Sequence, residues 1–160
     1  MSEAAPDAGP AIARSPVLPP TYLAVALIAM VAVHFLMPIA RVIVFPYSLF
    51  GLIPLAFGVA LNLLADRAFK KHSTTVKPFE RSSTLVTKGV FAISRNPMYL
   101  GMVLSLIGVG ILLGSLAPFV VVPVIAVLLD RRFIAIEELM LGGRFGEDWA
   151  AYRSRVRRWL

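Results

Sequence analysis

Charged residues are absent from three long stretches of this chain: Ser15 to Ala40, Val42 to Ala65 and Asn96 to Leu129. The first two are about the length a helix needs to cross a hydrocarbon core, roughly 20 residues. They predict a first helix over Tyr22 to Ile39 and a second over Tyr47 to Leu64, with Pro46 and Pro54 tolerated as prolines are in lipid-spanning helices. The third stretch holds 34 residues, too many for one crossing. Gly114-Ser115 followed by Pro118 supplies a break near its middle, so it predicts a hairpin of two helices joined by a tight turn. The second arm is expected to run on as helix through Asp130 to Leu141, leaving the apolar layer as it goes. Residues 1–20 hold five prolines and little bulky apolar material, which predicts a flexible lead-in. The apolar run after it is longer than a cleaved signal peptide carries and reads as a retained anchor.

Composition agrees with this pattern. Of the 160 residues, 58% are hydrophobic and 16% charged, and the mean hydropathy is +0.80, so too few polar side chains exist to cover a water-exposed globule. The fold class that follows is all-α, a polytopic membrane protein with about four transmembrane helices, a hairpin of the third and fourth, and a C-terminal interfacial helix. Residues 21–160 form one membrane-embedded domain in this reading. No internal repeat is visible.

Charge sets the orientation. Arg67, Lys70, Lys71, Lys77, Arg81, Lys88 and Arg95 fall in the connection 66–95, and Arg131, Arg132, Arg144, Arg153, Arg155, Arg157 and Arg158 fall in the segment 130–160. Four crossings place both segments and both termini on one face, so 15 of the 16 basic residues share it and Arg41 alone lies opposite. By the positive-inside rule that face is cytoplasmic, in a bacterium the inner side of the inner membrane. Orientation and attraction to anionic headgroups account for the net charge of +7, and no nucleic-acid partner is needed to explain it. The chain has no cysteine and two histidines, which excludes thiolate chemistry and leaves no metal centre in prospect.

Any site for a water-soluble molecule must be built from the two polar segments. The first leads into Ser94-Arg95-Asn96-Pro97-Met98-Tyr99-Leu100-Gly101, where Pro97 suits the first turn of the third helix. Free amides and the positive dipole end there favour an anionic group, although Asn before Pro also simply starts many helices. The second segment carries Glu137 and Glu138 just beyond an apolar span, where carboxylates are costly unless paired or useful. Adjacent helical residues point about 100° apart, so one can face a pocket while the other meets Arg131, Arg132 or an arginine of the tail. The tail itself, Phe145 to Leu160, interleaves aromatics with arginines and reads as an interfacial anchor on an anionic surface. His34 and Asn62, inside predicted spans, are expected to bond a neighbouring helix.

Taken in order, Thr75-Val76-Lys77-Pro78, Leu85-Val86-Thr87-Lys88-Gly89-Val90-Phe91, the Ser94 to Gly101 stretch, an apolar helical hairpin, Glu137-Glu138, Phe145-Gly146, Tyr152 and Arg158-Trp159 resemble the isoprenylcysteine carboxyl methyltransferase and phospholipid methyltransferase family. The resemblance covers about residues 62 to 160; the first helix carries none of it. It implies an integral membrane enzyme, surrounded by membrane lipids, moving a methyl group from S-adenosylmethionine to a lipophilic or isoprenoid acceptor. It implies cofactor contacts at Asn96, Pro97, Tyr99, Gly101, Glu137, Glu138, Tyr152 and Arg158, with Arg95 and Glu138 closest to the chemistry. Asn96 stands where the eukaryotic carboxyl methyltransferases carry His, and an amide cannot act as a general base, so that role does not transfer. An isoprenylcysteine-like carboxylate, a lipid amine and a thiol all remain compatible as acceptors. A nicotinamide-dependent reductase of the sterol reductase type and a non-enzymatic membrane scaffold are the alternatives, separable by cofactor titration.

Overall fold

Among the described residues, prolines open helices: Pro19, Pro20 and Pro97 lie in first turns. The computed structural model describes residues 18–37, 39–71 and 84–160. The first helix, α1 (Pro19–Leu36), begins on Pro19 and Pro20, three residues earlier than Tyr22, because a proline in the first turn gives up no intrahelical hydrogen bond. It ends at Leu36 rather than Ile39, ahead of the proline at sequence position 38, since the residue before a proline disfavours helical geometry. A 3₁₀ turn, Tyr47–Gly51, then leads into α2 (Leu52–Lys71). Pro54 sits within the first turn of α2, where its missing amide would have had no partner in any case. This helix continues two turns past Leu64, carrying Asp66 and Lys70 as an i,i+4 ion pair at 2.6 Å.

The expected hairpin is present. Helix α3 (Pro97–Leu113) is stopped by Gly114, whose φ of 74° is left-handed and strains any residue with a Cβ. After a 3₁₀ turn, Ala117–Val120, the chain returns as α4 (Val121–Leu129) and runs through a π-helical turn, Asp130–Ile134, into α5 (Ala135–Arg155). Helix α5 is thus longer than the stretch to Leu141, and it breaks at Gly146, where φ is 49° and ψ is −116°. Among the described residues there is no strand; an isolated bridge joins Arg41 to Ser115.

In lipid, apolar burial gives helices little reason to associate, and close backbone approach takes over. Helices α2 and α3 lie against each other through small residues. A Cβ at Gly101 would stand 2.6 Å from the Gly58 carbonyl oxygen, and one at Gly108 would stand 2.6 Å from that of Gly51. On the other side of α3, Ala26 and Met30 of α1 meet Met102 and Leu106 together with Ile125 and Leu129 of α4, all buried. The outward faces are apolar instead: Val25, Ile28 and Phe35 of α1 and Ile53, Phe57 and Leu64 of α2 are exposed. Helix α1 and the Tyr47–Lys71 helical run are each long and apolar enough to cross a membrane, and an apolar exterior on such helices is a lipid-facing surface.

The backbone fixes which parts share an end. The amides of Val42 and Ile43 both donate to the Gly114 carbonyl, at 2.9 and 3.0 Å, so Arg41 and the α3–α4 turn lie together. His34 joins them by a 2.6 Å hydrogen bond between its Nδ1 and Ser115 Oγ, so its partner is the turn between α3 and α4 and not a neighbouring helix. Asn62 differs, donating to the Gly58 carbonyl of its own helix at 2.9 Å. Beyond Gly146 the C-terminal segment is a helical piece of its own, kinked from the first part of α5, but its Trp149 and Tyr152 are buried against the protein instead of lying on a membrane surface. The reason is the break at Gly146, which turns the aromatics inward and leaves Arg153 and Arg155 outside. The lead-in before residue 18 and the Thr75 to Pro78 motif lie outside the described residues.

Candidate active site

Helix α3 starts where the chain turns sharply. The turn is held by Ser94, whose Oγ accepts from the Asn96 amide at 3.1 Å and donates to the Arg158 carbonyl at 3.3 Å. Asn96 therefore does not cap α3 with its side chain; its Nδ2 donates to the same Arg158 carbonyl at 3.1 Å. The Arg95 amide adds a bond to the Arg157 carbonyl at 3.0 Å, so the extended residues after α5 are stitched along the start of α3.

Buried Arg95 ties this junction to α5. Its Nη1 donates to the carbonyls of Arg153 and Val156 at 3.0 and 3.1 Å, its Nε to Glu138 Oε1 at 3.1 Å, and its Nη2 lies 2.9 Å from the same oxygen. Trp149 lies against the guanidinium, 5.7 Å from ring centre to Cζ. The other Glu138 oxygen takes Arg158 Nη2 at 2.6 Å, and Arg158 Nη1 reaches both oxygens of Asp130 at 3.2 Å. Glu138, hydrogen-bonded to its side chain, holds the Arg158 guanidinium above its ordinary range. Four charged groups from three remote stretches thus form one alternating row, Arg95, Glu138, Arg158, Asp130.

Glu137 serves a second contact. Tyr99, one turn into α3, donates its hydroxyl to Glu137 Oε1 at 2.8 Å, and its ring stacks on Phe133 at 6.1 Å. Burial pushes the Glu137 carboxyl up to about 7, although the Tyr99 hydrogen bond acts to lower it. Its second oxygen takes no hydrogen bond among the described residues, which leaves an acceptor open to a cation.

The residues singled out by sequence separate into two groups. Arg95, Asn96, Tyr99, Glu137, Glu138 and Arg158 come together, and Pro97 starts the helix that presents them. Gly101 instead faces α2 at the Gly58 crossing, where its role is close packing. Tyr152 donates to the Phe91 carbonyl at 2.7 Å, with burial pushing its hydroxyl up to about 12 so that it remains a donor. Of the arginines expected to partner the glutamates, Arg131 and Arg132 are exposed and Arg158 of the tail pairs with Glu138, while Arg95, not expected in that role, is its second partner.

Asp130 was not legible as a member. In a regular α-helix, residues eight apart point about 80° away from each other. The π turn at Asp130–Ile134 bonds i to i+5 and winds less per residue, which brings Asp130 and Glu138 round to the same arginine. A charge directly after a long apolar run was the available signal, but the winding defect that aims it is not written in the hydrophobic pattern.

Known proteins share this fold. The eukaryotic intramembrane Ras methyltransferase, isoprenylcysteine carboxyl methyltransferase, superposes with a TM-score of 0.68 over 94% of this chain at 28% identity. This chain spans about half of that enzyme, 54% of its length. An uncharacterized protein of Haemophilus influenzae is 33% identical over 63 residues, which are 39% of this chain and all of that protein. The model of the phospholipid methyltransferase family matches residues 46–148, the span that contains Arg95, Tyr99 and both glutamates. With an all-helical, lipid-facing exterior and a charged cluster at the start of α3, the chain belongs to the phospholipid methyltransferase family.

Proposed function

We propose that this protein is a membrane enzyme that transfers a methyl group from S-adenosylmethionine to a lipophilic acceptor at the cytoplasmic face. The observation that carries the reading is the row Arg95, Glu138, Arg158 and Asp130 beside the Tyr99–Glu137 pair, assembled where α3 begins and the residues after α5 close over it. Its donor set suits a zwitterion: Arg158, whose side chain is 35% exposed, offers a guanidinium to a carboxylate, and the open oxygen of Glu137 offers a partner to an ammonium.

When bound, S-adenosylmethionine supplies an electrophilic methyl on a sulfonium sulfur. The chain's own contribution is placement and exclusion of water. Glu137 and Arg158 grip the amino-acid end, and the Tyr99 ring offers a π face to a cation, worth ~0.5–2 kcal/mol. The donor enters from the aqueous side. The acceptor arrives through the bilayer, by a gap between helices beside α3 and α4, so its reacting atom meets the methyl at the interface.

Four crossings with both termini cytoplasmic fit this layout, because Arg41 and the Gly114 turn share one end and the charged row occupies the other. Since the chain lacks cysteine, single cysteines at 41, 88 and 157 report sidedness directly; labelling of 41 from the same side as 157 would defeat the topology. For the activity, the purified chain in nanodiscs is titrated with S-adenosylmethionine and NADPH, then incubated with methyl-labelled donor and a total lipid extract. Donor binding with label entering a lipid is expected. Binding of NADPH alone, or of neither, would overturn the proposal.

A further inference from the structure

The two arginines of the charged row are not equivalent. Arg95 is spent on the protein: its side chain is 8% exposed, and its contacts are Glu138 and the carbonyls of Arg153 and Val156. It holds the segment after α5 in place. Arg158 lies on that segment with its side chain 35% exposed, and its Nε has no partner among the described residues. Glu138 is shared with Arg95, and Asp130 gives Arg158 a second carboxylate of its own. Two carboxylates on separate helical segments, touching different nitrogens, fix both the position and the plane of one guanidinium.

We propose that Asp130 is a positioning residue for the methyl donor, which orients Arg158 so that its free edge receives the donor's carboxylate. This rests on the reading of the site given under Proposed function. The Arg158 side chain is partly exposed, and a guanidinium there held by Glu138 alone would turn about that contact. A carboxylate placed at the far nitrogen removes that freedom before the ligand arrives, and an ordered binding group loses less entropy on binding. Asp130 itself can occupy this place because the π turn rotates it toward Glu138's face.

The test compares Asp130→Asn, Asp130→Glu and the unaltered protein in nanodiscs, by calorimetric titration with S-adenosylmethionine and with its decarboxylated analogue. Asp130→Asn is expected to weaken binding of S-adenosylmethionine by about tenfold, the scale of one charge-assisted hydrogen bond at a partly exposed site. The decarboxylated analogue, which offers Arg158 nothing to hold, should bind both proteins within about twofold. Asp130→Glu should recover most of the loss. In the ligand-free protein, the side-chain Nε resonance of Arg158 should be resolved and become averaged in Asp130→Asn. Equal weakening of both ligands in a variant that still elutes as a folded species, or no weakening of either, overturns the positioning role while the donor site stands. An unaltered protein that binds neither ligand overturns the donor site, and this inference with it.

Discussion

Glu138 is gripped from both sides, with Arg95 Nη2 2.9 Å from one carboxylate oxygen and Arg158 Nη2 2.6 Å from the other. Carboxylate and Arg95 are both 8% exposed, so the pair lies in a medium where a lone charge is expensive. Glu138→Ala removes the shared anion and leaves Arg95 buried against backbone carbonyls. The expected cost is about 3–5 kcal/mol, the range for breaking one side of a buried ion pair. Thermal unfolding in detergent measures it, and a variant that melts with the unaltered protein would show that the row contributes nothing to the fold.

Glu137 makes stability and ligand binding respond to pH in opposite directions. Its carboxyl is held near 7, above an ordinary 4.5, chiefly by burial. The folded protein keeps the proton that the unfolded chain gives up, so this group's contribution to stability is complete below about 4.5 and is lost as pH rises to about 7. Pairing with an ammonium needs the carboxylate, so donor affinity should rise over the upper part of that window. Glu137→Gln should flatten both slopes and leave the protein more stable at pH 8 by on the order of 1–3 kcal/mol. Parallel unfolding and titration series from pH 5 to pH 8, with and without the substitution, check both halves.

What the sequence exposes here depends on how local the cause is. The breaks at Gly114 and before Pro97 are single-residue chemistry and could be read in advance, as could the glutamate pair and a tail arginine beside it, though not the pairing with Arg95. The inward turn of Trp149 and Tyr152 depends on one glycine break, and the membership of Asp130 depends on a π turn. Both are angular effects that the spacing of apolar residues does not record. Gly101 shows the converse: it belongs to a motif that suggests chemistry, yet the space around it is occupied by α2.

That space gives Gly101 a clear prediction. A methyl group there would approach the Gly58 carbonyl to 2.6 Å and run into the Asn62 side-chain nitrogen, and backbone cannot yield as a flexible side chain does. Gly101→Ala should separate α2 from α3 and destabilise the protein by about 1–3 kcal/mol, the usual cost of overpacking. Gly143, on α5 with nothing within 4 Å of a built Cβ, is the control. There, Gly143→Ala should be neutral or stabilising by up to about 1 kcal/mol through helix propensity. Equal thermal midpoints for the two variants would contradict the packing role of Gly101.

Tyr152 joins α5 to the segment that leads into α3, and through it to α2. Its hydroxyl donates to the Phe91 carbonyl at 2.7 Å, and the Phe91 ring meets Phe69 of α2 edge-on at 5.1 Å, in the buried cluster with Ala65 and Val86. Phenylalanine at 152 keeps the ring contact with Trp149, whose centre is 5.7 Å away, but leaves the carbonyl without its donor. A buried acceptor left unpaired costs about 1–3 kcal/mol. Because the bond anchors the turn just before Ser94, the loss should appear as faster amide exchange at Ile93 and Ser94, whose amides donate to the Val90 carbonyl at 3.3 and 3.2 Å. Exchange confined to the tail after Val156 would place the anchor elsewhere. Exchange at 93 and 94 with α1 unaffected is the result that makes Tyr152 the clasp between α5 and the start of α3.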